Sequence, residues 1–114
     1  MTFGTRVIFE PLRTVAFGAI GAAYAPVGSA MSHHARLVSF FNSTDVDLIV
    51  SLDNVSDHVR VAAGTGQVFD LTANKVKDDG LFVSKGTIFF VKRAVGAPSV
   101  GNFWIQVMAA HGGV

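Results

Sequence analysis

Val38-Ser39-Phe40-Phe41-Asn42, the turn Ser43-Thr44-Asp45, and Leu48-Ile49-Val50-Ser51-Leu52 decide how this chain is read. In both apolar runs, β-branched and aromatic residues sit between polar ones, the period-two pattern of a half-buried strand. Leu48, Val50 and Leu52 are expected on one side, and Ile49 and Ser51 on the other. Asn and Asp close the turn between them by bonding their own backbone.

Moving outward, the same pattern recurs at residues 59–62, 68–71, 81–83, 88–92 and 103–108, with 15–19 as one more. Turn residues separate these runs: Asp53-Asn54, Gly64-Thr65-Gly66, Asp78-Asp79-Gly80, Lys85-Gly86 and Gly96-Ala97-Pro98. About eight short strands at this spacing indicate an all-β antiparallel sandwich or barrel. No window holds a helical stripe, and the best candidate, residues 15–25, contains Gly18 and Gly21. Residues 24–34, with Pro26, Gly28 and two serines, read as a long irregular connection of the kind that often reaches toward a partner.

A chain of 114 residues forms one domain. Half of its residues are apolar and 15% are charged, against roughly 25% charged in ordinary soluble domains. So small a core cannot hide that much apolar surface, and part of it is expected to face other chains. The net charge is +1 and the nine Lys and Arg form no dense run, which argues against direct nucleic-acid binding. The apolar stretch at residues 15–30 is short for a membrane span and is broken by Pro26. Glu10 and Pro11 before it, and glycines within it, argue against a secretory signal.

Chemistry-bearing groups are scattered. His33-His34 are adjacent, so in extended chain they point apart, and His58 and His111 follow no metal spacing. Asp45, Asp47, Asp53 and Asp57 do not form a calcium loop and read as turn closers. Gly64-Thr65-Gly66 lacks the third glycine and helix of a phosphate cradle. Ser29, Ser39 and Ser99 lie in no Gly-x-Ser-x-Gly frame. The reading is therefore no enzyme, no cofactor and no metal.

The aromatics carry more. Phe40-Phe41 and Phe89-Phe90 each place one ring away from the core side of a strand. Oligomerisation would cover it. Trp104, inside the apolar run 103–108, is expected in the core.

The order of these pieces resembles small β-sandwich virion proteins of tailed bacteriophages. The resemblance runs from Arg36 through Phe40-Phe41-Asn42-Ser43-Thr44-Asp45, Ser51-Leu52-Asp53, Asp57-His58 and Ala63-Gly64-Thr65-Gly66. It continues through Phe69-Asp70-Leu71, Asn74, Lys85-Gly86-Thr87-Ile88-Phe89-Phe90 and Ala97-Pro98-Ser99-Val100-Gly101 to Val107. It implies a jelly-roll-like sandwich at residues 15–114 with an N-terminal arm at residues 1–14. The implied role is a capsid cement (decoration) protein of the phage head, with a head–tail connector, collar or tail ring as the alternative. A carbohydrate-binding β-sandwich module is a second alternative, expected to show exposed aromatics flanked by polar groups on one face. The implied partners are the major capsid protein or other virion proteins and further copies of the chain, as dimer or trimer. Its place would be the virion, assembled in the bacterial host's cytoplasm, with no membrane. Phe3, Arg6, Val7, Ile8, Phe9, Leu12 and Arg13 on the arm are the expected partner contacts.

Overall fold

The structure, a computed structural model, describes residues 6–70 and 83–111. Nine strands among them form two antiparallel sheets: β1 (Arg6–Phe9), β2 (Arg13–Ala16), β3 (Ala25–Val27), β4 (Ala35–Asn42), β5 (Leu48–Ser51), β6 (Val59–Val61), β7 (Gly66–Asp70), β8 (Phe89–Arg93) and β9 (Asn102–His111). One sheet runs β1-β9-β4-β7 with β2 also on β9, and the other runs β3-β8-β5-β6. The pairings nest: β2 with β9, β3 with β8, β4 with β7, β5 with β6. This is a jelly roll, one long folded hairpin wrapped into two four-stranded layers, and β1 is an addition to it.

The long strands alternate as their sequences require. Val38 and Phe40 of β4 and Phe103, Ile105 and Val107 of β9 are buried between the sheets. Leu48 and Val50 of β5 and Phe89 and Val91 of β8 meet them from the other layer. Phe40 is the centre of an aromatic cluster, edge-on to Phe69 and Phe89 at 5.8 Å and stacked on Phe103 at 6.0 Å. One ring of each doublet faces away from the core, as expected: Phe40 and Phe89 face in, while Phe41 is exposed and Phe90 half-buried. Leu52 packs on the core, whereas Ser51 is buried by its own turn, accepting the Asp53 and Asn54 N–H groups. Asn42 pins the layers together. Its amide donates to Val46 O at 2.8 Å and to Val61 O on β6 at 3.0 Å, and its carbonyl accepts from Thr44 N and Oγ1.

Four expectations need correction. The strand expected at residues 15–19 ends at Ala16, where Phe17–Ala19 turn as a 3₁₀ helix. Phe17 N still donates to Gly101 O, and the turn then drops Ile20 into the core. The connection at residues 24–34 contains β3, an edge strand in which Pro26 lacks the N–H that an edge does not need. Trp104 is half-buried on the outer face, because Phe103 and Ile105 on either side take the inward positions. The described part of the arm is woven into the sheet: β1 and β2 lie end to end along β9, so a boundary after residue 14 falls inside β2. The turn Asp78-Asp79-Gly80 and most of the strand at residues 81–83 lie outside the described residues.

Gly64 and Thr65 lie in a turn, as expected, that joins β6 of one sheet to β7 of the other, while Gly66 already opens β7. Gly101, by contrast, is required. Its φ is +94°, and a Cβ there would stand 2.1 Å from Ser43 O, where the β4–β5 turn crosses the chain entering β9.

Two outcomes follow. Val50→Asp places an unpaired charge in a fully buried site and is expected to abolish soluble, cooperatively melting protein. Gly101→Ala is expected to cost at least about 2 kcal/mol, read as a lower midpoint in denaturant titration with an unchanged fold by circular dichroism.

Candidate functional site

The outward positions of β9, β4 and β7 form three aligned rows. Thr14, Trp104, Phe41 and Gly66 make the first row. Gln106, Ser39 and Val68 make the middle one. Phe9, Met108, Leu37 and Asp70 make the third. Phe9 is 61% exposed, Phe41 46% and Val68 62%, and Trp104, Leu37 and Met108 are half-buried. Only Asp70, at a corner, carries charge among these described positions. Apolar residues contiguous across four strands are more than the scattered exposure of an ordinary surface.

The outer face of the other sheet is ionic. Arg60 donates to Asp47 at 2.8 Å. Lys92 lies 3.3 Å from Asp57 and 4.6 Å over the Tyr24 ring, whose hydroxyl donates to Asp57. Burial and the Asp57 bond push the Tyr24 phenol up to about 12. The Tyr24 hydroxyl and Lys92 hold the Asp57 carboxyl below its usual range, and the Ala63 N–H and Arg60 do the same for Asp47. This face is satisfied by its own side chains.

At the rim between the sheets lies a buried ionic cluster that sequence reasoning missed. Glu10, Pro11 and Leu12 stand opposite only two residues, Gln106 and Val107, between the β1 and β2 pairings. The extra residue is a β-bulge, and it shifts the alternation so that Phe9 faces out and Arg13 faces in. Arg13 donates to Glu10 Oε1 at 3.0 Å, to Ser29 O and to Pro11 O. Glu10 also accepts from Ser32 N at 3.0 Å, Ser32 Oγ at 3.1 Å and His33 Nδ1 at 2.9 Å. Burial raises the Glu10 carboxyl, but bonds from His33, Arg13 and Ser32 outweigh it and hold the group at about 2. Gly28, at φ +75°, lets the loop lie on the Arg13 stem, since a Cβ would come within 2.7 Å of its Cγ. The signal was the opposite charges at Glu10 and Arg13 flanking a proline.

The expected partner residues thus separate. Phe9 and Leu12 are exposed, Ile8 is half-buried, and Arg13 is consumed by Glu10. Arg6 and Val7 lie on β1, and Phe3 lies outside the described residues. His33 and His34 diverge as expected: His33 meets Glu10, and His34 accepts the Lys85 N–H. Asp45 accepts from Ser99, and Asp53 from Val55, Ser56 and Ser51. The Ser56 and Val55 N–H groups, with the Ser51 hydroxyl, bring the Asp53 carboxyl down to about 2. Among the described residues no three His, Asp or Glu side chains converge as a metal site. An apolar cavity of about 350 Å³ opens between the layers beside Phe40 and Phe69, where His58 is the sole polar lining residue. No family model, curated protein or solved structure matches this chain.

Glu10→Gln removes the charge that balances buried Arg13 and is expected to cost roughly 3 kcal/mol. The folded carboxyl titrates near 2 against 4.5 in its ordinary state, so its contribution is full above about pH 4.5 and fades toward pH 2. Melting across that range should show a wild-type loss of stability that is smaller in Glu10→Gln.

Proposed function

We propose that this chain is a structural virion protein of the tailed-phage type, most specifically a capsid cement or decoration protein that bridges capsid subunits. The observation that carries the reading is the one-sided surface: an aromatic-rich outer face on one sheet whose described rows are charged only at the Asp70 corner, against an ion-paired face on the other. A surface of this composition is made to be covered by protein, with Trp104, Phe41, Leu37 and Met108 as apolar anchors. The order of strands and turns that resembles small virion sandwiches supports the same role. A collar or tail-ring component would use the same surface and differ in copy number.

The position of Trp104 favours a second reading. An outward indole beside Phe41, with Thr14, Gln106 and Ser39 as polar neighbours, is the arrangement expected of a carbohydrate platform. Aliphatic Leu37, Val68 and Met108 on the same face suit protein side chains better than sugar hydroxyls.

In purified particles of the encoding virus, quantitative mass spectrometry is expected to find hundreds of copies for a cement protein. About a dozen would move the assignment to a ring or collar. Trp104→Ala should leave the protein folded but detach it from the particle. Retention on insoluble polysaccharide that Trp104→Ala abolishes, with no particle association, would establish the carbohydrate reading instead.

A further inference from the structure

We propose that the outer face of the five-stranded sheet is covered by a second copy of the same chain, forming a twofold face-to-face dimer. The inference rests on reading that face as a contact surface, but not on which particle the protein joins.

Three observations select a copy of itself. At its described row positions the face offers no countercharge to a charged partner apart from Asp70 at one corner, with Arg36 beside Leu37 at the same end of the sheet. Charges brought onto its first and middle rows would be desolvated without repayment, whereas those rows of a second copy bring none. Secondly, the opposite sheet is covered by Arg60–Asp47 and Lys92–Asp57 pairs. Among the described residues there is therefore one such face, and a single patch that contacts itself closes at two subunits. A head-to-tail ring would need a second, different patch.

Thirdly, the rows match under the twofold. With the axis along the middle row, Ser39 and Gln106 of each copy lie near their own counterparts. The Trp104–Phe41 row of one copy then lies on the Met108–Leu37 row of the other. Rings meet a thioether and an aliphatic chain, a favourable pairing. Sheets pack this way about 10 Å apart. A face about four strands wide and six residues long is about 20 Å square. Two such faces bury on the order of 1,000 Å², the lower limit for a specific interface, which places the dimer among weak, reversible associations.

The test is sedimentation velocity with light scattering on the full chain, across about 1 to 200 µM, where weak association is read. The expected result is a shift from monomer to dimer mass. Phe41→Glu, an exposed position, should retain the wild-type circular dichroism and melting while the dissociation constant rises at least tenfold. If Phe41→Glu does not fold, Val68→Glu on edge strand β7 serves the same purpose. The chain has no cysteine, so Ser39→Cys with a short bis-maleimide should give a covalent dimer. A wild type monomeric throughout, or a dimer indifferent to both glutamate variants, overturns the proposal. If the wild type is monomeric yet Phe41→Glu detaches from particles, the contact-surface reading stands and only the second copy is refuted. If neither mass nor attachment changes, both are refuted.

Discussion

Side-chain alternation along β9 is the constraint on which both the interior and the exterior of this protein depend. β9 is the longest strand and the only one bonded by β1, β2 and β4, so its register sets theirs. Phe103, Ile105, Val107 and Ala109 point inward and are fully buried, and this fixes Trp104, Gln106 and Met108 on the outside. A one-residue slip would exchange the two sets. The core cannot be assembled in this register without displaying the indole and the thioether. The outer apolar face is thus built by the same strand that builds the interior.

Two polar devices hold that register, and each is fully bonded. Asn42 ends β4 with its amide and carbonyl shared among the β4–β5 turn and β6, so it fixes where one sheet crosses to the other. Glu10 and Arg13 act at the opposite flank. They satisfy Ser29 O and Ser32 N in a loop that no strand pairs. Ion pairs this deep stabilise little on balance, but removing one partner is costly. Their value is in specifying one arrangement of bulge and loop, which sets Phe9 outward in line with Met108 and Leu37.

Strands with one polar side were legible in the sequence. β4 and β5 alternate clearly, so their existence, their turn and the divergence of Phe40 from Phe41 follow from the residues alone. β9 has apolar residues at both parities, from Phe103 and Trp104 to Val107 and Met108. Nothing local decides which set is inward, and pairing with β4 decides it. That is why Trp104 was expected in the core. The bulge at Glu10 was hidden for a related reason: charges beside a proline read as solvated surface until a loop distant in sequence supplies their partners. β3 was hidden by Pro26, which marks a loop in most contexts and is tolerated here by an edge. Of the candidate surface, the excess of apolar residues and the outward aromatic were readable, but the rows that unite them come from pairing across sequence-distant strands.

Jelly-roll wrapping explains why the excess is concentrated on one side. Successive strands mostly pass from one layer to the other, so each sheet is assembled from segments far apart in the chain. The long β4 and β9 occupy the middle of one layer and, besides their buried inner residues, put Leu37, Phe41, Trp104 and Met108 on its outer face around Ser39 and Gln106, while the outer positions of β6 and β8 carry Arg60 and Lys92. Ion pairs therefore cover one layer, while the described outer rows of the other carry charge only at Asp70. Its edges are less suited to association than its face. Pro11 and the bulge interrupt the β1–β2 edge, a feature that discourages strand addition. Among the described residues this leaves a broad sheet surface whose rows are charged only at the Asp70 corner, and contact through a face leaves the hydrogen-bonded framework beneath it undisturbed.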